Sequence, residues 1–409
     1  MAERVPGEME RERKTVQSAL YGWPFFVAMG ASLLLFCSFQ ALFPTLPLFT
    51  LHIGGTPADN GLNTWVFALA ALLARPVAGT LADRWGRKPI LVIGAACFGV
   101  SPLLCGLAPN VWVLFGARAV HGIGLAFFST GYQTYIADML PAERLGRGLG
   151  LANAASSVAM AVAPLGGERI VQAVGFRWGF AILGLVGLSG MGVTFVLPRG
   201  QQDKRAQVGQ TFGWAGLREA LRHRGVLIGV ACMAVLGLPF GVFITFLPLW
   251  VDARELGSAG AVFAAYALTN LLVRPLSGRL VDRWSERWPT LLGLSLAGLA
   301  GIGLAEAGSR WTLAGMAALL GAASGVATAA LDAMVQRAAG AEMRGVAAAL
   351  QYTAFDLVIG FGSLFLGQLA GVAGYGAVYR VAGFVTLMSV AVGGLVLAWR
   401  ATRPRRVAG

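Results

Sequence analysis

Charge is scarce in this 409-residue chain: Asp, Glu, Lys and Arg together make up only 12% of it. A soluble domain carries about 25%, so the chain has too little charge to cover a water-facing surface. Acids are the scarcer sign, 19 against 32 Lys and Arg, leaving a net charge of +13. The bases stand in short runs between apolar segments and are not gathered on one soluble face, which argues against nucleic acid as a partner. The four cysteines, Cys37, Cys97, Cys105 and Cys232, all fall in apolar runs without a C-x-x-C or metal spacing, and read as small packing residues. Three scattered histidines, His52, His121 and His223, form no H-E-x-x-H pair, and there is no G-x-S-x-G elbow or phosphate loop. These absences predict no enzyme activity, no metal, no cofactor and no use of ATP, so any work must draw on a gradient. Met1 to Lys14 is charged and lacks an apolar core, unlike a cleaved signal peptide.

What the chain has is apolar length. Hydrophobic residues make up 56% and the mean hydropathy is +0.69. Segments of about 20 apolar residues, each enough to cross a bilayer core of about 30 Å, recur throughout. Hydropathy predicts an all-α polytopic membrane protein of about twelve spans. In the first half they lie roughly at 24–49, 61–82, 90–108, 111–138, 147–171 and 178–197, and in the second roughly at 225–250, 259–281, 290–308, 311–336, 345–371 and 377–399. The 57 glycines suit this class, because small residues let helices approach where lipid gives no hydrophobic drive.

The chain also repeats itself. Arg75, Gly79, Asp83 and Trp85 return as Arg274, Gly278, Asp282 and Trp284, each pair 199 positions apart. Gly175, Phe176 and Phe180 return at the same interval as Gly374, Tyr375 and Tyr379, and Leu46-Pro47-Leu48 is echoed by Leu247-Pro248-Leu249. A fixed register over about half the chain predicts a duplicated unit. The expected organisation is a six-helix half over 1–198, a polar basic linker over 199–224 and a second six-helix half over 225–409. Leu217 to Arg224 has the pattern of a short interfacial helix. In parallel-repeat transporters the substrate site lies at mid-membrane between the halves. Most Lys and Arg fall on the side of the two termini and the linker, so that side is expected to be cytoplasmic. Asn110 and the His52–Asn60 loop should then lie outside, and Arg87 and Lys204 inside. The expected location is the cell (plasma or inner) membrane.

The segment Gly79, Asp83, Arg84, Gly86, Arg87, Lys88 matches G-x-x-x-D-R-x-G-R-[KR], and in this it resembles the loop between spans 2 and 3 of the major facilitator superfamily. The copy around Asp282 and Arg283 is partial, with Ser285 and Glu286 in place of the Gly and Arg. Arg118, Gly122, Gly124 and Ala126 resemble the span-4 motif R-x-x-x-G-x-G-x-A. Ala163-Pro164-Leu165-Gly166-Gly167-Glu168 resembles the span-5 antiporter motif G-P-x-x-G-G, with Ala163 and Glu168 replacing its outer glycines. The resemblance implies the family fold, two pseudo-symmetric six-helix halves, and alternating access by rocking of the halves. It implies a secondary transporter of the drug:proton antiporter-like branch that exports a small organic solute in exchange for protons. Its partners would be the solute, protons and the lipid bilayer, and the transporter would be a monomer. Proton symport or facilitated uptake is the alternative; a membrane enzyme or receptor-like scaffold would need a catalytic cluster or an extramembrane domain, and neither is visible.

Intramembrane ionisable residues are functional candidates by default. Asp356 falls in the middle of span 11, Asp332 in the Arg87-side half of span 10, and Glu168 near the far end of span 5. With Arg118 and His121 they form the proton-coupling candidates. Span 1 has no Asp or Glu to partner Arg118. For Glu168 a rim pair with Arg169 or Arg177 is the plain structural alternative; for Arg75 and Arg274, duplicated in register, a structural role in each half is favoured. The resemblance makes Gly79, Asp83, Arg84, Gly86, Arg87 and Lys88, with Asp282 and Arg283, a latch: Asp83 would accept from Arg87 and from a helix N-terminus of the other half. Gln40, Gln133, Asn153, Tyr266, Asn270, Gln351 and Tyr352 are expected to line the substrate cavity, since polar side chains in spanning helices turn toward the bundle interior.

Overall fold

The computed structural model describes residues 22–140, 145–198 and 218–401. Among these the chain is helical almost throughout. Span 1 is Trp23–Gln40 followed by Leu42–His52, span 2 Pro57–Trp85, span 3 Arg87–Gly106 and span 4 Val111–Asp138. Leu145–Val196 is divided at Gly175 into spans 5 and 6. Spans 7, 8 and 9 are Arg224–Ala253, Ala259–Trp284 and Arg287–Glu306. Arg310–Ala401 is divided at Gly340 and Gly374 into spans 10, 11 and 12. The breaks follow local chemistry. Pro44 lacks the N–H that would bond the carbonyl of Gln40, so span 1 is interrupted beside Ala41. Gly175 and Gly374 hold φ of 80° and 78°, values open mainly to glycine, so the register repeat is also a repeat of backbone turns.

Two expectations change here. Span 2 begins earlier than hydropathy places it. Thr56 Oγ1 accepts from the N–H of Asp59, and the Asp59 carboxylate accepts from the N–H of Thr56. This capping box starts the helix at Pro57, so Asn60 is a buried residue of the first turns, not a loop residue. At the linker, the described residues 218–223 hold a single helical turn, 218–220, so no interfacial helix runs to Arg224; Arg222 and Glu219 form an exposed pair there. Met1–Lys14, Arg199, Lys204, Arg205 and Leu217 lie outside the described residues.

Each half has its own core. Phe25, Phe98, Phe128 and Tyr132 pack in the first, and Phe243, Phe246, Phe263 and Leu304 in the second. The two halves meet most closely at the face that holds Asn110. There a Cβ added to Gly61 of span 2 would lie 2.1 Å from the carbonyl oxygen of Ser363 in span 11, so only glycine admits this contact. Thr64, Thr245 and Ser363 join spans 2, 7 and 11 through hydroxyl contacts of 3.1 and 3.0 Å. At the opposite face, which holds Arg87, nothing stands within 4 Å of where a Cβ would project from Gly79 or Gly278. The halves are therefore joined at the Asn110 face and parted at the Arg87 face.

Candidate functional site

Between the halves lies a cavity of about 170 Å³. Phe39 and Phe43 of span 1, Phe67 of span 2, Phe240 of span 7 and Phe355 of span 11 supply aromatic wall. Asn60, Asn63, Thr64 and Thr245 add polar groups, and two charged residues, Arg118 and Asp356, complete the lining. Span 2 presents its groups because Asn60, Asn63, Thr64 and Phe67 recur at helical spacing along one face.

Asp356 is tied across the halves. Its Oδ2 lies 2.5 Å from Arg75 Nη2, a half-buried ion pair joining spans 2 and 11. Arg75 is thus committed to the other half. Its register mate Arg274 has no matching acid, because the residue at the position of Asp356 in the first half is Ser157. Asp332 stays within the second half: it accepts from Gln351 Nε2 at 3.0 Å and lies 3.3 Å from the Tyr352 hydroxyl.

Arg118 is 6% exposed. Its Nη1 donates to His121 Nδ1 at 3.0 Å, and its guanidinium stacks 4.2 Å from the centroid of Phe67, a cation–π contact. Arginine has no acceptor, so His121 Nδ1 carries the lone pair and the imidazole is neutral. The rings of Phe39, Phe67 and Phe98 enclose that imidazole. Protonating it would set two cations side by side in a buried place, which counts against His121 as the proton carrier.

Glu168 makes a further polar bridge between halves. Its carboxylate accepts from Ser258 Oγ at 2.5 Å and from the N–H groups of Ala259 and Gly260 at 3.2 and 2.6 Å. It therefore caps the N-terminus of span 8 from span 5, rather than pairing with Arg169 or Arg177 at the rim. The segment that resembles the antiporter motif is packed at this seam: a Cβ on Gly260 would fall 2.6 Å from Leu165 Cα and 2.8 Å from the Pro164 oxygen.

The basic loop after span 2 makes its contacts inside the first half. Asp83, 69% exposed at its side chain, bonds Arg87 Nη1 at 2.7 Å, and Arg87 Nε reaches Asp138 at 3.3 Å. Lys88 donates to the carbonyl oxygens of Phe195 and Leu197 at the end of span 6. Arg84 and Arg283 are exposed, and the Asp282 side chain lies outside the described residues. Gly86 holds φ 90°, which turns the chain from span 2 into span 3. Gly79, expected to let helices close up, meets no neighbour here, because the halves are apart at this face.

None of the seven polar residues expected around the cavity lines it. Gln40 Nε2 bonds the carbonyl of Ser156, and Asn270 Nδ2 that of Gly321. Tyr266 packs among Phe240 and Phe243. Gln351 and Tyr352 serve Asp332, while Gln133 and Asn153 are exposed. An amide in an apolar helix reaches the nearest free carbonyl first, and these carbonyls belong to neighbouring spans. The lining residues missed were Asn60, Asn63, Thr64 and Thr245; the run Asn60, Asn63, Thr64, Phe67 was the available signal.

Known proteins give the same picture. The family model described as Major Facilitator Superfamily matches residues 28–305 and again 233–409. The chain is 26% identical over 396 residues to the multidrug resistance protein MdtG of Salmonella typhi, covering 91% of this chain and 93% of that one. The MdtG of Citrobacter koseri is also 26% identical, over 387 residues. In fold it is similar to the nucleoside transporter NupG, with a TM-score of 0.77 at 12% identity over 91% of this chain and 99% of that one. It is also similar to a bacterial homologue of the lysosomal transporter Spinster in an inward-facing, unoccupied conformation, with a TM-score of 0.72 at 18% identity over 93% and 96%. With the family model spanning both halves and the fold shared over nine-tenths of the chain, this protein belongs to the Major Facilitator Superfamily and is a multi-pass membrane transporter, not an enzyme.

Proposed function

We propose that the chain exports a small organic solute in exchange for protons, by alternating access of the two halves to one central cavity. The observation that carries this is the Arg75–Asp356 pair, a carboxylate on the cavity wall that also holds the halves together at 2.5 Å. A carboxylate in that position is costly unless paired. Protonation removes its charge and loosens the bond to span 2, so one titration is linked to both solute binding and movement of the halves. The basic Arg87 face is cytoplasmic by charge, which makes the arrangement here inward-facing. Glu168 of span 5, bonded to the start of span 8, then closes the outer side, and Asp83 is disengaged at the inner one. Export of organic solutes is supported by the similarity to proteins named for multidrug resistance and by the aromatic lining. The two termini are placed in the cytoplasm by the same charge rule, and the protein acts as a monomer in the cell membrane, with no cofactor beyond the gradient.

Proteoliposomes under an imposed pH gradient test this, loaded with a panel of labelled aromatic solutes. Exchange requires solute to move opposite to protons. Movement in the same direction replaces export by symport, and indifference to the gradient leaves a facilitator.

A further inference from the structure

We infer that the central cavity binds an amphiphilic organic anion, with its carboxylate on Arg118 and its apolar body against the phenyl rings; this deepens the reading of the chain as an organic-solute transporter and rests on it. Arg118 is more than nine-tenths buried and lines the cavity. A guanidinium is always charged, and in a lipid-spanning bundle such a charge is normally paired with an acid or a carbonyl. Here its hydrogen bond goes to a neutral imidazole and its face to a ring. Among the described residues no carboxylate bonds it. Its Nε has no hydrogen-bond partner among them. Asp356, the other charge on the cavity, is occupied by Arg75.

A second group points the same way. Asn63, on the same face of span 2 as Phe67, also lines the cavity, and its side-chain oxygen is buried and unpartnered. Which end of that amide faces the cavity depends on its rotation, so it can serve a ligand as donor or acceptor. Two buried polar side chains, each with an unpartnered atom beside one cavity, are more simply explained by a ligand than by packing. Apart from Asn60, Thr64, Thr245 and the paired Asp356, the rest of the wall is apolar and aromatic, and an apolar cavity of roughly 150 Å³ is known to take a benzene-sized group. The complement of this surface is a phenyl-sized body bearing one carboxylate. A cation would find no free acid, because the one carboxylate on the wall is already neutralised.

The test is equilibrium binding to the full-length protein in detergent, without any gradient. The probes are 3-phenylpropionate and its neutral isostere 3-phenylpropionamide. The expected result is saturable binding of the acid, at least about tenfold tighter than the amide, as a charged hydrogen-bonded contact confers. R118Q should lose that preference and bind acid and amide alike, while its circular dichroism and monodisperse elution report that it is folded. R118K keeps the charge and should keep part of the preference; it decides the matter if R118Q does not fold. Equal affinity for acid and amide, no saturable binding of the acid, or a preference retained in R118Q or abolished in a folded R118K would each overturn the assignment. Anion-selective binding in a protein that ignores a pH gradient would leave this site standing and remove the coupling. Gradient-driven transport without anion preference would do the reverse.

Discussion

Glu168 Oε2 lies 2.6 Å from the backbone nitrogen of Gly260, so an acid of one half caps a helix of the other. The first N–H groups of a helix have no partner within it and carry partial positive charge. Span 8 fills that need partly with Ser258, whose Oγ accepts from the Ala261 N–H, and partly with Glu168. The bond is present only while the halves touch at the Asn110 face.

Glu168→Gln should weaken that closure. It removes the charge and leaves one acceptor oxygen, and a partly buried charge at a helix end is worth up to about 2 kcal/mol. Distance labels at positions 170 and 261 should shift toward longer separations, with the open population rising by about tenfold. A distribution identical to wild type would remove the gating role.

Asp356→Asn mimics the protonated carboxyl. The variant should lose uphill, pH-driven transport in proteoliposomes and retain gradient-free exchange of solute. Asp332→Asn is the control, since among the described residues Asp332 bonds within its own half. Full uphill transport in Asp356→Asn would move the coupling role to Asp332 or Glu168. Loss of both uphill transport and exchange in a folded protein would make Asp356 a ligand of the solute.

Asp83→Asn removes a group whose bond here is to Arg87 alone among the described residues. It should therefore leave this arrangement intact and destabilise the opposite one, in which the Arg87 face is closed. Crosslinking between spans 2 and 11 at that face should fall. Crosslinking at the wild-type level would show that Asp83 is only a solvated loop charge.

Ser285→Gly should stabilise the protein. Ser285 occupies the position of Gly86 in the second copy of the loop and has φ 60° and ψ 167°, a region almost reserved for glycine and costing about 1–3 kcal/mol for other residues. Thermal unfolding in detergent should occur at a higher temperature. An unchanged or lowered midpoint would mean that the serine is not strained.

The architecture was legible because apolar length and the constant interval both act locally along the chain. Hydropathy located the spans, and Gly175 and Gly374 turned out to share a backbone turn as well as a register. The site was less legible because its key bonds join residues far apart in sequence. Arg75 meets Asp356 across 281 positions, and the duplication of Arg75 as Arg274, which suggested a structural role in each half, carries no sign of a bond to the other half. Glu168 was visible as a departure from the antiporter motif, but its partners are backbone N–H groups, which leave no mark on a sequence. The polar residues chosen for the cavity were those isolated in apolar runs, and most of these are spent on neighbouring helices.

The unequal fates of Arg75 and Arg274 bear on stoichiometry. Two identical halves would place the same acid–arginine pair on both seams of the bundle, and a full cycle would then titrate two equivalent carboxylates. Here Ser157 stands at the position that matches Asp356, so the ion pair of spans 2 and 11 has no carboxylate at the matching position of span 5. On the proposed mechanism, this pair can move one proton per cycle. With a monoanionic solute leaving as one proton enters, each cycle transfers two positive charges inward, so a membrane potential, negative inside, would drive export alongside the pH gradient. Transport should then respond to a potassium–valinomycin potential imposed at equal pH on both sides.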